Sequence, residues 1–444
     1  MKKVYLILAG FLLFHLFLLF NLRFTAWPEM VSYPYLLNNG FKLYTDFVHP
    51  YPPVLTLFLA GLYKIFGYKL IVLKTFTWLL ILSNDVLIFL IVKKLTKYNL
   101  GAILTLASYV LLQSFLEGNQ LWFDLAIVPS LLFGTLLLIK KKYFWAGLGF
   151  ALAALIKQTV GIYLVITFLY LIFTKEKLKN VYSFAVGPIA LGALLVLYLI
   201  SANSFSDFLN WTLVYPFTYW TKFPGYVQMS LNKTQILILA SLLLPLILIA
   251  SKAKKYTLMF LFFAASLVLV YPRFSFFHFQ LALAFLAILY GIILAETKQV
   301  TYRFLLIIPL VVVFFKAPYV FGGEARFWDR QDLKFSEVIR SNVGPHENIF
   351  LLGSSSEQYV FSNTLPPKPW ADNFGWYWEI PGFQEKVIKS WDKNKPSVIV
   401  WRDPGKGNWF DLGVYQPKKV TDWISLNYNR IEEIEPDVWL WQRK

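Results

Sequence analysis

Residues Trp27–Pro53, WPEMVSYPYLLNNGFKLYTDFVHPYPP, separate the first apolar run of the chain from everything that follows. The stretch is polar, aromatic and proline-rich, and it holds Glu29, Asp46 and His49. Such groups are scarce in this part of the sequence. Up to residue 319 there are only eight carboxylates, Glu29, Asp46, Asp85, Glu117, Asp124, Glu176, Asp207 and Glu296, against 26 Lys and Arg. Two of the eight therefore fall in one segment that the flanking apolar runs mark as a loop between membrane-embedded parts.

With 57% hydrophobic and 15% charged residues in 444, the chain is too apolar for a soluble protein of this size, and it reads as a multi-span membrane protein. Its net charge of +17 does not point to nucleic acid, because residues 320–444 are near neutral and the excess lies between the apolar runs. Short basic loops of that kind anchor a membrane protein on its cytoplasmic side. No cysteine is present, which excludes disulfides, thiolate nucleophiles and cysteine metal sites. The start, MKK followed by an apolar run, has the charge pattern of a signal peptide but no small-residue cleavage site before Asn21–Arg23, so it reads as an uncleaved first span.

Apolar runs of about spanning length occur at 4–22, 70–92, 99–116, 121–139, 143–158, 159–174, 181–200, 235–251, 256–271, 277–295 and 303–319, about eleven spans in all. Val54–Phe66 is too short to join them and carries Lys64. If it crossed the membrane, the basic cluster Lys93–Lys97 and most later ones would lie opposite Lys2–Lys3. If it rests in the interface, Lys2–Lys3, Lys93–Lys97, Lys140–Lys142, Lys175–Lys179, Lys252–Lys255 and Lys298–Arg303 all become cytoplasmic, and this is the preferred reading. One outer face then collects Glu29, Asp46, His49, Glu117, Asp124, Lys157, the aromatic loop 201–234 and the corner Arg273–His278.

Beyond Pro318 the hydropathy drops. Helices are expected at Asp332–Asn342, Gly382–Asn394 and Pro417–Asn429, strands at Asn348–Gly353 and Ser397–Arg402, and a hairpin at Arg430–Arg443. That alternation predicts a small α/β layer. The expected fold is thus an α-helical polytopic membrane protein, residues 1–319 with an outer loop at 23–69 containing juxtamembrane helices, followed by a C-terminal α/β extracytoplasmic domain at 320–444.

Each candidate side chain has a functional and a plainer reading. Glu29, just beyond the first span, suits a general base in a partly desolvated cleft, or is an ordinary interfacial glutamate. Asp46 orients a substrate or caps the following helix. His49 is a weaker candidate, beside prolines where a packed ring is common. Asp124 opens an apolar run, seven residues after Glu117, where the helix dipole alone favours a carboxylate. Lys157 interrupts Ala146–Val165 and either snorkels to the interface or meets a lipid phosphate. Arg273, in YPRFSFFHF, is a second phosphate ligand, with His278 close by in sequence. Carboxylates and cations at one level suit transfer of a sugar from a lipid phosphate, in which cations stabilise the leaving phosphate and a carboxylate deprotonates the acceptor. A transporter or flippase is the alternative, favoured by Asp85 alone inside a span.

The order of features resembles the GT-C superfamily of polyprenyl-phosphate-sugar-dependent glycosyltransferases, particularly the bacterial branch related to protein mannosyltransferases and the aminoarabinose transferase of lipid A. The likeness rests on an acid after the first span, Asn39–Gly40, Tyr44–Thr45–Asp46–Phe47, Tyr51–Pro52–Pro53, a helix ending at Phe66–Gly67, Asp124, and Gly147–Leu148–Gly149 leading to Lys157. Asn427–Tyr428 and Val438–Trp439–Leu440–Trp441 are similar to the small outer domain of many relatives. The resemblance implies that Glu29 is the catalytic carboxylate, that Asp46 and Asp124 line the same cleft, and that Lys157 and Arg273 lie near the lipid phosphate. The first-loop acidic pair of the superfamily reads Pro28–Glu29 here, a single acid, which leaves a bound divalent metal open. Implied partners are a polyprenyl-phosphate sugar donor, a lipid, glycan or protein acceptor, and membrane lipids, with no nucleic acid.

Overall fold

The computed structural model of the protein describes residues 2–247, 255–296, 307–407 and 413–444. The apolar runs fold as helices. Lys3–Asn21, Leu70–Thr96 and Leu178–Ser201 are long and apolar enough to cross a membrane on length and composition alone. Shorter apolar helices include Asn99–Phe115, Phe123–Ile139, Tyr143–Ala154, Gln280–Glu296 and Ile307–Val320. Among the described residues, then, three helices rather than about eleven meet the length needed for an unaided crossing. Val54–Phe66 is a helix of 13 residues, ended by Gly67 in a positive-φ conformation. Lys298–Arg303 lies outside the described residues, as does Lys252–Lys255 except for Lys255.

The chain forms two compact units. The first comprises residues 1–25, 73–197 and 228–323, the second 26–72, 198–227 and 324–444.

In the first unit Gln280–Glu296 is the central helix, buried on all sides from Gln280 to Ile293 and packed against Asn99–Phe115 and Thr257–Val268. A helix apolar all round is what an interior position requires. Lipid supplies no hydrophobic drive for helix association, so close backbone approach has to do that work, and small residues permit it. A Cβ on Gly149 would meet the Gly134 backbone at 3.0 Å, and one on Gly147 would meet the Phe184 carbonyl at 2.2 Å. Gly147–Leu148–Gly149 thus lets Tyr143–Ala154 press on one helix with each glycine. The end of the first helix is tied down by Asn119, whose amide donates to the carbonyls of Leu19 (3.0 Å) and Leu22 (2.8 Å) and accepts from the Trp78 indole (3.0 Å).

In the second unit a four-stranded sheet comprises β1 (Ile349–Leu352), β2 (Val398–Arg402), β3 (Tyr428–Glu435) and β4 (Val438–Arg443), in the order β1-β2-β4-β3. β1 and β2 are parallel, pairing Ile349 with Val398 and Leu352 with Trp401. Their connection passes through helix Phe383–Trp391. β1 is apolar throughout and wholly buried, as a parallel strand covered on both faces must be. β3, with the sequence YNRIEEIE, is an edge strand whose charges discourage further pairing. Trp391 and Trp378 pack on Phe350, at 4.7 and 6.1 Å between ring centroids. Each large side chain buried in this way contributes about 1.5–3 kcal/mol. The helix expected through Asn429 stops at Asn427, because Tyr428 pairs with Arg443 and donates its hydroxyl to the Pro396 carbonyl (2.7 Å). Helices Glu357–Ser362 and Gly375–Trp378, which the alternation pattern did not reveal, complete the layer.

The first loop belongs to this second unit. Helix Glu29–Asn38, buried from Glu29 to Leu36, packs on Val54–Phe66 and on Glu357–Ser362. Residues 46–48 and 370 are laced by backbone bonds, Val48 N–H to the Trp370 carbonyl (2.9 Å) and Trp370 N–H to the Asp46 carbonyl (3.0 Å). The aromatic stretch 205–226 packs with the C-terminal residues, Trp211 and Trp220 against Tyr377 and Tyr226 against Trp376.

Candidate functional site

Two constellations of ionisable side chains stand out, one in each unit.

In the second unit Glu29 is the first residue of its helix, following Trp27–Pro28, where the helix dipole favours a carboxylate. It is buried, at 9% exposure, and its Oε2 has no hydrogen-bond partner among the described residues. Asp372, also buried, accepts from the Tyr33 hydroxyl (2.7 Å) and from Ser356. Ser32 and Ser356 share a hydrogen bond (3.0 Å), which joins the Glu29 helix to the turn after β1. Burial, and then the negative charge of Asp372, push the Glu29 carboxyl up to about 8, while burial raises Asp372 to about 6. Two buried carboxyls in electrostatic contact cannot both ionise cheaply, so the pair keeps one proton near neutral pH. Glu357, a third buried carboxyl, is also held well above the usual range, first by burial and also by the charges of Asp332 and Glu29. Tyr377 completes the surroundings, its hydroxyl raised by burial, then by Asp372 and Glu29.

Asp46 and His49 have other partners in this unit. Asp46 Oδ2 accepts from the Lys368 ammonium (2.8 Å) and the Lys42 N–H (3.0 Å), closing the turn at 42–46. His49 is fully buried among the rings of Tyr33 and Tyr44 and hydrogen-bonds the Tyr51 carbonyl (2.6 Å) and the Thr56 hydroxyl (2.8 Å). Burial lowers its pKa to about 3, which keeps the ring neutral.

In the first unit Asp124, at the start of helix Phe123–Ile139, is gripped on both oxygens. The Lys157 ammonium donates to Oδ1 (2.6 Å) and His278 Nδ1 to Oδ2 (2.9 Å). Lys157 can reach it because the chain breaks between helices Tyr143–Ala154 and Gly161–Phe173, leaving Lys157 in extended conformation. Glu117 accepts the Phe277 N–H (3.2 Å), beside His278. Arg273 lies half-buried where residues 272–274 bond to the Gln228 backbone. Asp124, Lys157 and His278 are thus brought together, and the corner 273–278 carries Arg273 and contacts Glu117. Asp85 is not alone. His15 Nδ1 shares a hydrogen bond with its Oδ2 (2.7 Å) and His15 Nε2 one with Gln113 Oε1 (2.9 Å), a fully buried chain of three side chains.

The sequence reading did not single out Asp372, Glu357 or His15. Asp372 sits in PKPWADNFGWYW, proline-rich and aromatic like the first loop, and that shared composition was the available signal. Among the described residues no group of three or more His, Cys, Asp and Glu is arranged to hold a metal ion.

Residues 49–205 match the family described as dolichyl-phosphate-mannose-protein mannosyltransferase. The fold is similar to that of ArnT from Cupriavidus metallidurans, solved bound to undecaprenyl phosphate, with a TM-score of 0.64 at 12% identity over 99% of this chain and 98% of that one. It is also similar to the arabinofuranosyltransferase AftD from Mycobacteria, with a TM-score of 0.56 at 11% identity over all of this chain and 40% of that one. No curated protein matches the chain in sequence. The family match covers about a third of the chain, and the fold likenesses show that the chain shares the fold of these two membrane glycosyltransferases. The likeness to ArnT runs nearly the full length of both chains.

Proposed function

We propose that this protein transfers one sugar, a hexose or a pentose, from a polyprenyl phosphate to a lipid, glycan or protein acceptor on the outer face of the plasma (inner) membrane. The observation that carries the reading is Glu29, a carboxylate whose Oε2 has no partner among the described residues and whose proton affinity is raised by burial and then by a second buried carboxylate. In its ionised form a carboxylate raised in this way is basic enough to accept a proton near neutral pH, which is what deprotonating an acceptor hydroxyl or amine demands. Asp372 is its positioning partner. The undecaprenyl phosphate in the ArnT structure and the dolichyl phosphate in the matched family's description support a polyprenyl-phosphate donor.

Lys157 and Arg273 take the role of holding the donor phosphate, with Asp124 and His278 orienting the Lys157 ammonium. Transfer proceeds with inversion at the anomeric carbon, the acceptor oxygen or nitrogen forming the new bond as the phosphate oxygen leaves. About eleven helices lie in the membrane, with the N-terminus cytoplasmic and the C-terminal α/β region outside. The test is release of free polyprenyl phosphate by purified protein from a panel of lipid-phosphate sugars, wild type against Glu29→Gln. Release from one donor that vanishes in the folded variant is the expected result; equal release by both proteins would sink the assignment.

A further inference from the structure

In an open α/β layer, ligands bind in the crevice beyond the carboxyl ends of parallel strands, where the loops diverge. β1 and β2 are such a pair, and a cleft of about 350 Å³ opens at their ends. Its walls are the turn Gly353–Gln358 after β1, Arg402 to Lys406 after β2, and Asp332 and Phe335 of helix Arg330–Asn342. Gly353 has a φ of +78°, and a Cβ there would stand 3.0 Å from the Arg402 carbonyl, so glycine permits the tight departure of both loops from the sheet.

The lining has a distinct chemistry. Ser354 Oγ, Glu357 Oε2 and Gln358 Oε1 are buried and have no hydrogen-bond partner among the described residues. A buried polar atom left without a partner costs about 1–3 kcal/mol, so three around one cleft call for something that bonds to them. Among the described residues the apolar lining is Phe335 and Val414 with aliphatic stems, and most of the lining is polar. Serine, glutamine, acidic and arginine side chains lining a volume at the small end of ligand pockets match a compact polyol. The Arg402 guanidinium lies over the Phe335 ring (5.1 Å), which leaves its edge to donate toward oxygen.

We propose that this cleft binds a sugar residue of the acceptor. Ser356, in the same turn as Ser354, Glu357 and Gln358, hydrogen-bonds Asp372, the partner of Glu29. A sugar bonded to the cleft side of the turn is therefore held by the segment that also fixes the carboxylate pair. The identification of that sugar as part of the acceptor rests on the transferase reading above; the cleft's affinity for a sugar does not.

The experiment is saturation-transfer NMR on the full chain in nanodiscs with a panel of free mono- and disaccharides, comparing wild type with Gln358→Met and Ser354→Ala. At least one sugar should be saturated by the wild type and bound about fivefold more weakly by each variant, the effect of one lost hydrogen bond. Should Gln358→Met fail to fold, Ser354→Ala decides. Absence of saturation for every sugar, equal saturation by wild type and folded variant, or binding of inorganic phosphate alone would overturn the proposal. Binding that persists while no lipid donor is consumed would uphold the cleft and strike instead at the transferase reading.

Discussion

Asp124 and Glu29 are both buried carboxylates at helix starts, yet one is saturated and the other is not. Asp124 meets Lys157 and His278 on its two oxygens, whereas Glu29 keeps Oε2 unpartnered and faces another acid. A carboxylate gripped by two cationic or N–H partners is a structural anchor that orients them. One lacking partners and repelled by a neighbour is primed to take a proton. Rarity of acids flagged both residues; only their partners separate the roles.

The largest expected effect is on turnover. Glu29→Gln removes the proposed proton acceptor at nearly constant volume and should lower donor consumption by about 10²–10⁴-fold. A loss below tenfold, in a protein that unfolds at the wild-type temperature, would move the base elsewhere.

Asp124→Asn should act mainly on stability. It leaves Lys157 buried beside an uncharged amide, and breaking a buried ion pair from one side costs about 3–5 kcal/mol. Thermal unfolding in detergent would register this as a clear drop in Tm. An unchanged Tm would mean that the grip on Asp124 is not structural, and would narrow the difference between the two acids.

The acid pair also predicts a pH response of definite sign. Glu29 has its carboxyl raised from 4.5 in the unfolded chain to about 8 when folded, so the folded state binds more protons between those values. Its contribution to stability is therefore fully present below about 4.5 and is lost as pH rises toward about 8. Glu29→Gln escapes that loss, and its Tm should exceed that of the wild type at pH 8 by on the order of 5 °C, with no gain at pH 4.5. Asp372→Asn removes the charge that adds to burial in raising Glu29, so the acid limb of the activity profile should shift to lower pH. A profile that keeps its midpoint would separate the two carboxyls energetically.

The smallest effect belongs to Asp46. Its pair with Lys368 is partly exposed, and such pairs contribute about 0–1 kcal/mol. Asp46→Asn should leave turnover within about threefold of wild type if the residue only closes its turn. A loss near that of Glu29→Gln would restore it to the chemistry.

Much of this protein is legible from composition and spacing. Runs of apolar residues, bounded by scarce charges, mark the membrane helices because lipid tolerates nothing else over that length. The alternation in Asp332–Arg443 marks the α/β layer, and the isolation of Glu29, Asp124 and Lys157 among apolar residues marks them as costly and therefore informative. Pairings across long stretches of sequence were beyond reach. Asp372 is 343 residues from Glu29 and lies in a region rich in acids, so nothing local distinguishes it; burial beside another carboxyl does. His15 lies in the first apolar helix with no polar neighbour in sequence, and only the approach of Leu70–Thr96 and Asn99–Phe115 supplies Asp85 and Gln113. The sequence by itself determined which segments could enter a membrane and which charges would be expensive there, because those depend on local hydropathy. Tertiary structure alone decided which of those charges are neutralised and which are left wanting a proton, because pairing and desolvation depend on neighbours that the chain brings from afar.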